Sequence, residues 1–178
     1  ADPAGIVPTS STIAQLSIGD ALAIATMEQR NFSKLDFKKF HPSGTLGAKL
    51  KTAEDLMVKK NKIPLINEND SMKIGLRIIS KKKLGTLIAQ NKKGKTVGII
   101  TDGDIKRANS KYKNINEVKI KDIMSKNPIS IEKNTLAVEA LEIMNSKEIT
   151  GLCVHNKTNY KKTIGFLHIH NILKANIQ

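Results

Sequence analysis

The sequence is poor in cysteine, aromatic residues and long apolar runs, and each deficit excludes a class of protein. Of its 178 residues one is cysteine, none is tryptophan, and aromatic residues make up 3%. A single cysteine cannot build a disulfide framework, so we expect the reducing environment of the cytoplasm. Cys153 lies in an apolar stretch and is predicted to be a buried hydrophobic residue, not a catalytic thiol. No stretch approaches the roughly 18 apolar residues of a transmembrane helix, so we expect no membrane partner.

Positive charge is what the chain has in excess. Lysine and arginine number 30 against 16 acidic residues, for a formal net charge of +14. Such a surface suggests nucleic-acid binding. However, the lysines are spread along the chain and few aromatic residues are available to stack on bases. We therefore expect no nucleic-acid partner, and a solvated surface that attracts phosphorylated small molecules.

Residues 51–110 and 117–178 are two versions of one pattern. Met57 and Met124, in the related segments AEDLM and VKIKDIM, are 67 residues apart, and the glycines that open GIITDGDI and GFLHIHNI have the same separation. Each version predicts a short extended segment, an amphipathic helix, two apolar strands and a final helix. One such unit is too small to bury its own faces. The pattern therefore predicts an α/β (α+β) fold in which two strand-helix-strand-strand-helix repeats pack together.

Residues 1–50 do not share this pattern. The stretch STIAQLSIGDALAIATMEQR, residues 11–30, has apolar residues at loose helical spacing, with Ser10 or Ser11 as the expected N-cap. It is apolar almost all round, so we expect this helix to be buried. Because 50 residues cannot supply that burial alone, we interpret the region as the tail of a larger domain that this sequence lacks.

The stretch GIITDGDI, residues 98–105, is the first candidate site. Thr101 and Asp104 fall where a strand turns into a helix, and a helix N-terminus offers free N–H groups to an anion. Asp104 is able to accept two hydroxyl hydrogens, as a ribose diol requires. Capping of the helix by Thr101, with Asp104 near the positive end of the helix dipole, explains the same residues without a ligand. Both interpretations remain open from the residues alone.

The matching positions in the second repeat are His168 and Asn171. Asn171 retains hydrogen-bonding capacity but has no charge, so the two half-sites are expected to differ in affinity or in ligand. His168 and His170 suggest a metal, but no third ligand is near in sequence, and we expect no metal site.

The duplicated unit, with DLM or DIM near its start and Gly-Ile-Ile-Thr-x-x-Asp near the end of the first copy, resembles a tandem pair of cystathionine-β-synthase (CBS) domains. Together with PTSSTIAQLSIGDALAIA and FHPSGTLGAKL upstream, the chain is similar to the C-terminal part of bacterial arabinose-5-phosphate isomerases. That resemblance implies a sugar isomerase (SIS) domain tail at 1–50 followed by CBS repeats at 51–110 and 117–178. It also implies an enzyme that interconverts ribulose 5-phosphate and arabinose 5-phosphate for the octulosonate sugar of lipopolysaccharide or capsule.

For this chain the resemblance implies a regulatory module. Thr101, Asp104, His168 and Asn171 would bind an adenine nucleotide or a cytidine-linked sugar between the repeats, and no cofactor would be required. The alternative is a purely structural module that joins copies of the isomerase into a dimer, or a tetramer in the complete enzyme.

The resemblance also assigns roles outside the repeats. His41 would be catalytic in the complete enzyme only, and the sugar-phosphate candidates at the start of the first helix are Thr9, Ser10, Ser11 and Thr12. Without the resemblance, a solvent-exposed histidine and simple helix capping explain these residues. Because most of the catalytic domain is absent, we expect the chain alone to be inactive.

Overall fold

A computed structural model describes residues 5–41 and 44–177 of the chain. The backbone divides into two compact units, Ala1–Gly44 and Thr45–Gln178. In the described ranges, no helix is both long enough and apolar enough to cross a bilayer.

The smaller unit contains helices α1 (Thr9–Gln29) and α2 (Lys34–Phe40), and α3 (Gly44–Lys49) begins at its end. Helix α1 starts after Pro8 and has no side-chain N-cap, so Ser10 and Ser11 lie inside its first turn and not at the cap position that the sequence suggested. Every residue of α1 is solvent-exposed, its leucines and isoleucines included. The predicted burial of this helix is therefore not achieved by the described residues.

The larger unit contains eight strands, six further α-helices and two 3-10 helices, Lys60–Lys62 and Ile115–Glu117, in its described residues. The strands are β1 (Val58–Lys59), β2 (Leu65–Asn67), β3 (Thr86–Gln90), β4 (Thr96–Thr101), β5 (Ser125–Lys126), β6 (Ser130–Glu132), β7 (Gly151–Asn156) and β8 (Asn159–His168). The helices are α4 (Ala53–Leu56), α5 (Met72–Lys82), α6 (Asp102–Lys111), α7 (Ile120–Ile123), α8 (Ala137–Ser146) and α9 (Ile169–Leu173).

Each repeat builds one sheet by the same path. In the first repeat, β2 leads through α5 to the parallel strand β3, which pairs antiparallel with β4 before α6. In the second repeat, β6, α8, β7, β8 and α9 follow the same order. The predicted α+β class and the strand-helix-strand-strand-helix order are confirmed. Ser71 occupies the N-cap position of α5, and Leu136 occupies that of α8.

The two repeats exchange their first strands, which the sequence analysis did not predict. Strand β1 belongs to the first repeat but pairs with β8 of the second, and β5 belongs to the second repeat but pairs with β4 of the first. The resulting sheet orders are β1-β8-β7-β6 and β2-β3-β4-β5. Each sheet is therefore completed by the other repeat, and separating the repeats breaks backbone hydrogen bonds.

The strand exchange explains why the two methionines and the two glycines have the same separation along the chain. Met57, directly before β1, packs on Gly165 of β8, and Met124, directly before β5, packs on Gly98 of β4. A Cβ added to Gly98 would lie 2.5 Å from the Sδ atom of Met124. A larger residue at Gly98 or Gly165 would collide with the methionine packed on it. This explains why the methionine before each exchanged strand is matched by a glycine in the other repeat.

A buried cluster of side chains joins the two sheets. Ile63 and Ile88 from the first repeat meet Cys153 and Phe166 from the second. The prediction that Cys153 is buried is confirmed, because its side chain is 1% exposed. Burial raises the pKa of the Cys153 thiol to about 11, despite a hydrogen bond with Thr163, so the thiol is inert at neutral pH.

Candidate functional site

The start of helix α6 is a complete capping box. The carboxylate oxygen Oδ2 of Asp104 accepts hydrogen bonds from the backbone N–H of Thr101 at 2.8 Å and from its hydroxyl at 2.7 Å. The Thr101 hydroxyl in turn accepts from the backbone N–H of Asp104 at 3.4 Å. The capping interpretation is thus realised in this structure.

The second carboxylate oxygen of Asp104 has partners from outside the box. Oδ1 accepts from Nη2 of Arg107 at 2.6 Å and from the hydroxyl of Ser125, in the exchanged strand β5, at 3.1 Å. Asp104 is 6% exposed. Burial alone raises the pKa of this carboxyl, but the hydrogen bonds from Thr101, Arg107 and Ser125 together hold it below its usual value. Asp104 is therefore ionised at neutral pH and satisfied by protein donors.

The start of helix α9 has the same layout with weaker contacts. Asn171 accepts a hydrogen bond from the backbone N–H of His168 at 3.3 Å, and Nδ1 of His168 accepts from the backbone N–H of His170 at 3.2 Å. The two imidazole rings are 4.9 Å apart. Burial, and then the charge of His170, lower the pKa of His168, so its acceptor nitrogen remains unprotonated near neutral pH.

Two cavities adjoin these helix starts. The inter-repeat cleft, of about 350 Å³, is bounded by β4, the segment 125–129 and the segment 148–151, and it includes Thr101, Ser125, Ile99 and Phe166 in its wall. The helix-start cavity, of about 500 Å³, lies where α6 and α9 begin, with Thr101 and His168 both in its wall.

The four predicted ligand residues are therefore only partly brought together. Thr101 lines both cavities and His168 lines the helix-start cavity. Asp104 reaches the cleft through the hydroxyls of Thr101 and Ser125, and it lines a smaller cavity of about 130 Å³ beside Arg107. Asn171 is half-buried and makes only the capping contact described above among the side-chain hydrogen bonds of the described residues.

Sequence reasoning missed Ser125 and Phe166. Ser125 directly follows the DIM motif, but its partner Asp104 is 21 residues away, and only the strand exchange brings the two together. Phe166 is the second residue of GFLHIHNI and occupies the place of Ile99 in the first repeat. The 67-residue correspondence was the available signal for Phe166, whereas nothing in the sequence pattern pointed to Ser125, whose counterpart is Val58.

The candidate residues of the smaller unit have local structural partners. His41 ends α2, stacks on Phe37 with ring centroids 4.0 Å apart, and approaches its carbonyl oxygen at 3.3 Å. Thr9, Ser10, Ser11 and Thr12 form the exposed first turn of α1, and the Thr12 hydroxyl donates to the carbonyl oxygen of Pro8. Their predicted roles in a complete enzyme stay predictions.

The repeats correspond to a known family. Residues 50–111 and 120–177 each match the CBS domain. The chain belongs to the CBS domain family. The CBS pair thus covers the two sheets and the two helix starts described above.

Curated relatives extend the match beyond the CBS pair. The chain is 40% identical over 178 residues to arabinose 5-phosphate isomerase KdsD of Francisella tularensis, which covers 99% of this chain and 53% of the relative. It is 36% identical over 176 residues to the enzyme of the same name from Escherichia coli K12, with 98% and 53% covered. The chain spans about half the length of these curated relatives.

Solved structures share the fold of the CBS pair. The CBS domain pair of protein MJ0100, in complex with 5′-methylthioadenosine and S-adenosyl-L-methionine, superposes with a TM-score of 0.61 at 24% identity, over 70% of this chain and 94% of that one. CBSX2 in complex with AMP superposes with a TM-score of 0.58 at 21% identity, over 70% and 95%. An uncharacterized conserved protein from Pyrococcus horikoshii gives 0.63 at 22%, over 73% and 95%.

Proposed function

We propose that this CBS pair is a nucleotide-binding regulatory module of a sugar-phosphate isomerase, with the inter-repeat cleft as its binding site. The observation that carries the proposal is the composition of the cleft, which places the apolar side chains of Ile99 and Phe166 beside the hydroxyls of Thr101 and Ser125. A nucleoside needs this combination, because its base is flat and largely apolar while its ribose carries hydroxyls.

Asp104 prepares the two hydroxyls for a ribose. Both Thr101 and Ser125 donate their hydroxyl hydrogens to Asp104, so their remaining lone pairs are available to accept from ligand hydroxyls. A direct contact between ribose and Asp104 requires the ribose to replace one donor. Arg107 is the donor most easily exchanged, because its side chain is 73% exposed.

The relatives support the nature of the ligand and of the complete protein. Solved CBS structures hold AMP, or 5′-methylthioadenosine and S-adenosyl-L-methionine, which favours an adenine nucleotide. The similarity to arabinose 5-phosphate isomerases supports a cytidine-linked sugar of the octulosonate pathway as the alternative ligand. The complete protein would then be a cytoplasmic isomerase of ribulose 5-phosphate and arabinose 5-phosphate.

A second candidate is a purely structural module that assembles the isomerase into dimers or tetramers without a ligand. One observation favours it: both carboxylate oxygens of Asp104 already have protein donors. A buried carboxylate satisfied in this way stabilises the start of α6 whether or not a nucleotide binds.

Isothermal titration separates these candidates. The panel is AMP, 5′-methylthioadenosine, CMP and a CMP-linked sugar acid, titrated into the chain and into the variants Asp104→Ala and Asn171→Ala. We expect at least one compound to bind, with an affinity lowered about tenfold or more by Asp104→Ala, because a charge-assisted contact contributes about 1.5–3 kcal/mol.

The variant Asn171→Ala is the matched control, since it removes the equivalent side chain of the other repeat and should leave the affinity within about twofold. Thermal unfolding of each variant verifies that the fold is retained. Absence of binding by every compound at millimolar concentration would favour the structural candidate. Equal losses in the two variants would place the ligand elsewhere.

A further inference from the structure

Another cavity lies at the other end of the strands from the helix starts. This basic compartment, of about 450 Å³, is formed where the beginning of β4, the loop after β5 and the middle of β8 meet. The segment Lys126, Asn127 and Pro128 lines both this compartment and the inter-repeat cleft, so the two cavities are neighbours.

The compartment concentrates positive charge without a counter-charge. Lys95, Lys126 and Lys161 contribute to its wall, and no carboxylate is among the described residues that line it. In residues 5–41 and 44–177, none of these three lysines forms an ion pair. Three like charges around a concave surface raise the local concentration of anions, more than scattered lysines on a convex surface do.

Hydroxyl and amide groups lie between the lysines. The hydroxyls of Thr96 and Thr163 are 2.7 Å apart and share one hydrogen, which leaves acceptor capacity on the pair. Ser130, Asn127 and Tyr160 add further polar groups to the wall. A ligand with several hydroxyls as well as negative charge makes use of both kinds of group.

Two of the residues that line the compartment differ in size from their counterparts in the first repeat. Residues at equivalent strand positions of the first repeat are larger and apolar: Leu65 stands where the second repeat has Ser130, and Ile88 where it has Cys153. Leu65, Ile88 and Cys153 all pack in the cluster that joins the sheets, but Ser130 and Cys153 also line the compartment, whereas Leu65 and Ile88 do not. The small side chains of Ser130 and Cys153 are therefore not reproduced at the equivalent positions of the first repeat.

We propose that the basic compartment binds a small polyhydroxylated anion, such as a sugar phosphate or a sugar acid. This ligand chemistry has two possible sources, a free metabolite or the sugar part of a nucleotide-linked ligand whose nucleoside occupies the neighbouring cleft. The site goes beyond the proposed nucleotide function, because its charged residues Lys95 and Lys161 do not line the cleft.

The test is an NMR titration of the ¹⁵N-labelled full chain with ribose 5-phosphate, and separately with UDP-glucuronate. We expect amide shifts at Thr96, Lys126 and Thr163 with the first probe, and at these residues together with Thr101 with the second. The double variant Lys95→Gln/Lys161→Gln should weaken binding about tenfold or more, because two charge-assisted contacts to the anion are lost. Lys113→Gln, at an exposed lysine of the linker between the repeats, is the control for a lysine-to-glutamine change outside the compartment.

The outcomes are distinct from those of the nucleotide titration. Binding of ribose 5-phosphate that persists in Asp104→Ala supports a free anion as the source. Weakening confined to UDP-glucuronate in the double variant supports a nucleotide-linked source. The proposal is overturned if neither probe shifts these amides at a probe concentration of about 10 mM, which is on the order of weak metabolite affinities. It is also overturned if the double variant binds the probes as tightly as Lys113→Gln does. Inorganic phosphate binding as tightly as ribose 5-phosphate would also overturn it, since hydroxyl recognition would then be absent.

Discussion

The helix starts of the two repeats have the same backbone plan but differ in chemistry. In the first repeat, Asp104 collects four hydrogen bonds, one of them from Ser125 in the exchanged strand. In the second, Asn171 accepts one, and the exchanged strand offers Val58 at the position equivalent to Ser125. The second repeat therefore lacks both the charged acceptor and the hydroxyl donor that meet in the first repeat.

The same contrast holds for the space between the sheets. The side of the pair that contains Asp104 and Ser125 opens into the inter-repeat cleft and the basic compartment. On the other side, Ile63 and Leu65 pack into the cluster between the sheets. The repeats therefore provide a common scaffold, and side-chain size and charge decide which half of it is open to a ligand.

The largest expected effect comes from changing the packing of the glycine Gly151 against Phe166. The Phe166 ring lies so close to Gly151 that an added Cβ would be 2.9 Å from its Cε1 atom and nearer still to Cζ. Phe166 is 1% exposed and packs against Ile63, Ile88 and Cys153, so displacing the ring disturbs the buried cluster that joins the two sheets. We expect Gly151→Ala to lower the free energy of unfolding by roughly 2–3 kcal/mol, measured by urea denaturation.

The first repeat supplies the control for this prediction. It has Thr86 at the position of Gly151, and it tolerates a side chain there because Ile99 replaces the aromatic ring. In a Phe166→Ile background, Gly151→Ala should therefore cost about 1 kcal/mol less than in the original chain. An equal cost in both backgrounds would show that the glycine is required for another reason.

An intermediate effect is expected from exchanging the acid and amide of the two helix starts. Asp104→Asn removes charge-assisted hydrogen bonds to Thr101, Arg107 and Ser125 and should cost about 1–2 kcal/mol at pH 7. Asn171→Asp should change stability by less than about 0.5 kcal/mol. Val58, at the position equivalent to Ser125, has no hydroxyl that could donate a hydrogen bond to the new carboxylate.

The pH dependence of stability checks the same contrast. The pKa of Asp104 is lowered in the folded state, so its contribution is present above the pKa of the unfolded chain, about 3.9, and is lost as the pH falls through the folded value. Denaturant unfolding between pH 7 and pH 3 should show this loss in the original chain and not in Asp104→Asn. Equal curves for both proteins would mean that the carboxylate contributes nothing to the fold.

The fold was predictable because its decisive signal is repeated. The 67-residue correspondence, together with the helical and alternating patterns in each copy, specified the element order that the structure contains. Strands β1 and β5 have two residues each, which is too short for any alternating pattern to predict, and their exchange depends on tertiary contacts. Sequence alone therefore identified two repeats but not how they interlock.

The candidate site was predictable in its residues and not in its arrangement. Thr101 and Asp104 were found because a hydroxyl and an acid at that spacing suit a helix start. Whether they cap the helix or also serve a ligand depends on Ser125 and on a cavity whose walls come from both repeats. The open side depends on the difference between Ile88 and Cys153, which acquires meaning only once both side chains are placed between the sheets.

The smallest expected effect concerns His168, the counterpart of Thr101. Its pKa is lowered in the folded chain by burial and by the charge of His170, and Lys83 and Asp102 line the same cavity. The unfolded chain therefore takes up a proton more readily, and stability decreases as the pH falls below about 6.5. Because the ring is partly exposed, we expect the decrease to stay below about 1 kcal/mol. Introducing the residue of the first repeat, His168→Thr, should flatten the stability curve between pH 7.5 and pH 5 (roughly the histidine range). If the stability of His168→Thr depends on pH as strongly as that of the original chain, another group is responsible for the titration. The two repeats would then not differ in this respect.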